Sequence, residues 1–215
     1  MRPSPRSVSF VVCAALLLLG WASPAGAATM FVASLDSDQE VAPGGESDST
    51  LTGTGTFSLT AGGAGNNHLS FTLTFQAGFD FGDVGGGGSG EGVTALHIHN
   101  AARGVNGGIV FGIFAPSSDT DGDTTIMTQM DGTTVVTAEW DSGEGNAGAD
   151  LDDFVAGLLA LSAGEDAPLY VNLHSDSDLS GVIRGQIVAV PEPGSAALLA
   201  LALAALGWGG RRAEG

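Results

Sequence analysis

The sequence predicts an all-β protein: an antiparallel sandwich with one short helix, flanked by an N-terminal signal peptide and a C-terminal transmembrane helix. Three observations carry this reading. Many short segments alternate apolar and polar residues with a period of two, the pattern of half-buried strands. Glycine-rich turns separate those segments, as in sandwiches. A single segment, 151–159, instead repeats its apolar residues at helical spacing.

Residues 30–35 make a short first strand. In 51–60, Thr52, Thr54, Thr56 and Ser58 alternate with Leu51, Phe57 and Leu59. In 69–75, Leu69, Phe71, Leu73 and Phe75 lie on one face and Ser70, Thr72 and Thr74 on the other. Residues 85–90, Gly-Gly-Gly-Gly-Ser-Gly, read as a flexible loop insertion. Strands follow at 93–99, 108–114, 126–130 and 133–140, with Asp131-Gly132 as a two-residue hairpin turn between the last two. The helix carries Leu151, Phe154, Val155, Leu158 and Leu159 on one stripe. Asp150 is placed to cap its start, and Asp152 and Asp153 suit the positive end of its dipole. Strands at 169–174 and 182–188 complete the set.

The two ends describe an address. Arg2 and Arg6 precede an apolar core at 8–20, and Ala25-Gly26-Ala27 offers the small residues signal peptidase needs, so residues 1–27 read as a signal peptide cut after Ala27 or one residue later. At the other end, Val190-Pro191-Glu192-Pro193 precedes an uncharged stretch, 195–210, and then Arg211-Arg212. As a helix that stretch covers about 24 Å of a hydrocarbon core about 30 Å thick. The two arginines favour the cytoplasmic side, which leaves the large N-terminal part across the inner membrane. The chain therefore divides into 1–27, a single domain at 28–189, and a sorting segment at 190–215.

Composition narrows the chemistry. The chain has no lysine, which excludes lysine-dependent phosphate binding, Schiff bases and lysine general bases. Its one cysteine, Cys13, lies in the signal segment, so the domain has neither disulfide nor thiol. Within the domain only Arg103 and Arg184 oppose 22 of the 24 acidic residues. A surface so acidic repels nucleic acid. No serine sits in a nucleophile elbow and no pair of carboxylates stands out as an acid–base couple, so an enzyme is not expected.

The chemical centre is Leu96-His97-Ile98-His99. With Leu96 and Ile98 buried, His97 and His99 share the outer face. Tyr170-Val171-Asn172-Leu173-His174 repeats the logic, with Asn172 and His174 outward. If the two strands are neighbours, His97, His99 and His174 converge, and copper or zinc accepts such nitrogens. The alternative is a scaffold role, each imidazole hydrogen-bonding a nearby loop. His68, after Asn66-Asn67, reads as a solvated loop residue. Arg184 is expected to tie to carboxylates or carbonyls, and Arg103 to do the same or meet a ligand. Asp119-Thr120-Asp121-Gly122-Asp123 suggests weak calcium binding, although Thr124 and Met130 stand where an EF-hand needs Gly and Glu. Ser175-Asp176-Ser177-Asp178 reads likewise.

Two resemblances follow from these motifs. Thr94 to His99, Gly104-Val105-Asn106-Gly107, Leu169 to His174 and Ile183-Arg184-Gly185-Gln186-Ile187, with Phe31 to Leu35 and Gln39-Glu40-Val41, resemble the CHRD domain first described in chordin. That resemblance implies an immunoglobulin-like or Cu,Zn-superoxide-dismutase-like sandwich. The His-x-His strand is also similar to the dismutase copper strand. Four histidines and no cysteine in the domain cannot supply that family's ligands and disulfide, so dismutase activity is not expected. The C-terminal segment resembles the PEP-CTERM sorting signal, carried by Val190, Pro191, Glu192, Pro193, Arg211 and Arg212. It implies processing by an exosortase-type protease, transient anchoring, and delivery to the cell surface or extracellular matrix of a Gram-negative bacterium. The function expected from all this is a non-enzymatic structural or binding module, with an exopolysaccharide or a surface protein as partner; the alternative is a copper- or zinc-binding surface protein using His97, His99 and His174.

Overall fold

The computed structural model describes residues 29–41, 47–82 and 91–191. The signal-peptide segment, the glycine-rich loop at 85–90 and the apolar C-terminal segment lie outside the described residues. Among those that are described, no helix is long and apolar enough to cross a membrane.

Ten strands form one curled sheet: β1 Thr29–Leu35, β2 Gly53–Ala61, β3 Asn67–Phe75, β4 Phe79–Asp80, β5 Glu91–Asn100, β6 Gly108–Phe114, β7 Thr125–Thr128, β8 Thr134–Asp141, β9 Asp166–Ser175 and β10 Ile183–Val190. The order is β4-β5-β9-β10-β1-β2-β3-β8-β7, with β6 also on β5. Every pairing is antiparallel except the short β4–β5 contact. All nine predicted strands overlap observed ones. β4 is the addition, being two residues long and too short to show a period.

The period of two sets what is buried. On β3, Leu69, Phe71, Leu73 and Phe75 are buried while Ser70, Thr72 and Thr74 are half-buried. The core of Phe31, Phe57, Leu59, Leu96, Ile98, Val171, Leu173 and Ile187 repeats this rule on five other strands. Curling brings distant strands together across that core. The Phe111 ring on β6 stacks on Trp140 of β8 with centroids 5.4 Å apart, and Phe71 meets Phe111 edge-on at 6.3 Å. The Trp140 indole N–H donates to the Glu144 carbonyl at 2.8 Å, which satisfies its polar edge inside the core. The result is an all-β, sandwich-like body.

The helix, α1 (Asp152–Leu159), closes one end. Phe154 packs on Trp140 at 5.4 Å and Leu158 is buried, but Leu159 is exposed because eight residues are too few to wrap the whole stripe. Asp150 accepts the Asp152 N–H at 2.9 Å, and the Asp153 carboxylate accepts the Asp150 N–H at 3.4 Å. The cap position falls on Leu151, one residue after the expected Asp150, and its side chain makes no capping bond; Asp150 serves the Asp152 N–H from one residue further out. Asp150→Ala is expected to cost about 1 kcal/mol, read as a lower urea midpoint; an unchanged midpoint would show the turn is held by packing alone.

The β7–β8 connection differs from the expected two-residue turn. Gly132 donates to the Gln129 carbonyl at 3.0 Å and Gln129 to that of Thr133 at 2.8 Å, so the loop is three residues, 130–132. Gly132 has φ +84°, the left-handed position that such a loop needs at its end.

Candidate metal centre

β9 lies between β5 and β10, and this order builds the site. On the face opposite the core, His97 stands across from Asn172, His99 from Tyr170, and Ala95 from His174. One strand further, Asn172 faces Arg184 and Tyr170 faces Gln186. The face is not open to solvent, as an outward direction suggested. His97 is 5% exposed, His99 7%, Arg184 1% and Gln186 1%; His174 is half-buried. Residues 36–41 and the loop 101–107 fold over it. The Arg184 guanidinium donates to the Ala102 carbonyl at 3.2 Å and to Asn106 Oδ1 at 3.4 Å, and Asn106 donates to the Val41 carbonyl. Arg184 thus ties to carbonyls, as expected. Arg103 instead makes a two-pronged ion pair with Asp166 at 2.8 and 2.9 Å.

The three imidazoles converge. Ring centroids are 5.7 Å apart for His97–His99, 5.3 Å for His97–His174 and 6.0 Å for His99–His174. One nitrogen from each ring lies within 4.8 Å of the others. His99 Nδ1 is 3.0 Å from the Gly107 carbonyl and His174 Nδ1 is 3.1 Å from that of Leu179. A carbonyl only accepts, so each Nδ1 carries the proton and each Nε2 keeps a lone pair. Neither Nε2 has a partner, and neither nitrogen of His97 has one. A buried polar atom without a partner costs about 1–3 kcal/mol, and these three rings carry four of them. Burial lowers the pKa of all three histidines, that of His97 to about 4, with the neighbouring His174 and His99 adding to the effect. They are neutral at pH 7, the state that ligates a metal.

The same layer holds Glu40, 7% exposed, with its Oε1 unpartnered. Burial pushes its carboxyl up to about 7, against the pull of Arg184. Glu40, Tyr170 and Gly107 were not identified from the sequence as parts of this face. Tyr170 was recoverable, four residues before His174 on one strand and therefore on the same face. Nothing local marks Glu40, which arrives from 36–41 through the fold.

Other sequence-level candidates fall elsewhere. His68 is a strand residue, not a loop residue. It pairs with Asp141 across β3–β8, its Nδ1 lying 2.6 Å from Asp141 and 3.1 Å from Glu139, and the Asp141 hydrogen bond raises its pKa. It belongs to a separate cluster. In the acidic loop, Asp119 accepts the N–H groups of Asp121, Gly122 and Thr124, and Glu144 accepts from Thr120. One oxygen from each of Asp119, Asp121 and Glu144 nevertheless lies within 4.8 Å of the others. Val190 is the last residue of β10, opposite Met30, so the sorting motif begins directly at the end of a strand.

The CHRD domain model matches residues 31–187. The chain belongs to the CHRD domain family. Its C-terminus, 189–213, matches the PEP-CTERM protein-sorting motif. That motif marks proteins exported to the cell surface of Gram-negative bacteria and implies processing by an exosortase-type protease. No curated protein and no solved structure matches the chain. The matched range includes every segment that builds this face: the His-x-His strand, the loop ending at Gly107, the Tyr170–His174 strand and the Arg184 strand.

Proposed function

We propose that this CHRD protein is an exported surface module that binds one copper or zinc ion through His97, His99 and His174, without an enzymatic role. The observation that carries the reading is the convergence of buried, unpartnered ring nitrogens within 4.8 Å, two of the three rings having the opposite nitrogen tied to a backbone carbonyl. Metal-bound histidines characteristically use their second nitrogen in this way. Imidazoles serving only as scaffold would spend their nitrogens on hydrogen bonds, and His97 spends neither. All-imidazole coordination suits copper or zinc, at the usual distance of about 2.0–2.1 Å.

In this reading residues 1–27 direct export, the apolar C-terminal segment holds the chain briefly in the inner membrane, and the exosortase-type cut releases it to the surface or matrix. The curled sheet is read as an immunoglobulin-like or dismutase-like sandwich. An exopolysaccharide or surface-protein partner would engage the outer faces away from the histidines.

The test is titration of full-length protein with Cu(II) and with Zn(II), with elemental analysis of the product. One equivalent is expected. His97→Ala, His99→Ala and His174→Ala should each weaken binding by more than the roughly 10–100-fold typical of losing an outer-shell partner, with the melting curve retained. Binding no tighter than buffer controls would return the histidines to a scaffold role.

A further inference from the structure

We propose that Tyr170 and Arg184 are positioning residues that, through Gly107, present His99 to the metal before the metal arrives; the proposal rests on the three-histidine reading above. The contacts form a closed circuit. His99 Nδ1–H donates to the Gly107 carbonyl at 3.0 Å. The N–H of the same Gly107 donates to the Tyr170 hydroxyl at 3.2 Å. The Tyr170 ring then returns to His99, stacked at 4.8 Å with the planes 10° apart. From the β10 side, the Arg184 guanidinium lies over the Tyr170 ring at 3.5 Å. Arg184 in turn holds the loop at Ala102 and Asn106.

Each contact removes one freedom of the imidazole. Stacking sets the plane of the ring. The carbonyl sets which nitrogen carries the proton, and hence which one offers a lone pair. The cation over the tyrosine face holds the stack, an interaction strengthened by burial. His97 has no comparable support, since neither of its nitrogens is bonded. The site is therefore asymmetric: His99 is held ready, and His97 takes its orientation from the ion. Lysine in place of Arg184 would keep the charge but lose the planar fork that reaches two acceptors while covering a ring.

The experiment has two arms on full-length protein. Metal-free wild type is examined by nitrogen-15 NMR of the histidine rings at neutral pH. One unexchanging His99 tautomer with the proton on Nδ1 is expected; a proton on Nε2, or exchange between tautomers, would overturn the proposal. Tyr170→Leu, Tyr170→Phe and Arg184→Lys are then titrated with Cu(II) alone and followed by electron paramagnetic resonance. Tyr170→Leu should bind about 10–100-fold more weakly, with an altered spectrum. Tyr170→Phe, which keeps the stack but loses the hydroxyl that holds Gly107, should fall between Tyr170→Leu and wild type, as should Arg184→Lys. A folded Tyr170→Leu protein with wild-type affinity and spectrum would reduce Tyr170 to a core filler and overturn the proposal. Should Tyr170→Leu fail to fold, Tyr170→Phe and the wild-type tautomer decide the matter. Absence of metal binding by the wild type would sink the metal reading itself, and the His99 tautomer would still judge the clamp on its own.

Discussion

Alanine at Gly107 is expected to cost the domain about 3 kcal/mol and to weaken metal binding severely. A β-carbon there would lie 2.0 Å from the Asn100 carbonyl oxygen and 2.6 Å from its carbon. Both are backbone atoms at the end of β5, where Asn100 pairs with Gly108, so no side-chain rotation relieves the clash. The strand end or the loop 101–107 has to move. Either movement pulls the Gly107 carbonyl off His99 and its N–H off Tyr170. Stability and affinity should therefore fall together. Urea unfolding and Cu(II) titration of Gly107→Ala measure both, and wild-type values in both would show that the loop yields without cost.

Glutamine at Glu40 is expected to stabilise the metal-free protein at pH 8 by about 1–3 kcal/mol and to leave it nearly unchanged at pH 4. The Glu40 carboxyl is raised from 4.5 to about 7, chiefly by burial. Below pH 4.5 it is protonated in folded and unfolded chains alike and costs nothing. As the pH rises from 4.5 to 7, the unfolded chain ionises first, so stability is lost; above 7 the loss is complete. His97 runs the other way. Its pKa falls from 6.5 to about 4 on folding, again chiefly by burial. It is neutral in both states above 6.5, and stability is lost as the pH falls from 6.5 towards 4, because the unfolded chain takes up the proton first. In the wild type these opposed slopes overlap between pH 4.5 and 6.5 and flatten the profile. Glu40→Gln removes one of them and leaves a clear rise across that interval. The raised value is already the net of burial and the opposing attraction of Arg184, so the expected gain needs no further allowance for that pair. Urea midpoints at pH 4, 5, 6 and 8 in the presence of a chelator test this. Equal midpoints for both proteins at pH 8 would show that Glu40 ionises without penalty.

The strands were legible because their evidence is local. Alternation of Leu69, Phe71, Leu73 and Phe75 with Ser70, Thr72 and Thr74 needs only the two-residue repeat of an extended chain. The bond from the Asp152 N–H to Asp150 is local in the same way, although the cap position itself falls on Leu151 rather than on Asp150. The shared face of His97 and His99 followed from that repeat as well. The β7–β8 loop was read one residue too short, because Asp131-Gly132 suits both a two-residue turn and the end of a three-residue one; the register Thr128–Thr134 decides between them. His68 was misplaced because Asn66-Asn67 looked like a turn, whereas β3 starts at Asn67 and carries His68 into pairing with Asp141.

By itself, then, the sequence determined the strands, the helix, the side of β5 on which two histidines lie, and the segments that carry the family and sorting motifs. All of these are set by spacing along the chain. Tertiary structure alone decided that β9 runs beside β5, so that His174 joins His97 and His99, and that the face opposite the core is itself buried. It also placed Tyr170 against His99, Arg184 over Tyr170 and Glu40 beside Arg184 and Asn172, and brought one nitrogen of each imidazole within 4.8 Å of the others. Strand order depends on how a curled sheet closes over its core, and burial depends on which distant loops fold across it. Neither leaves a periodic trace in the chain.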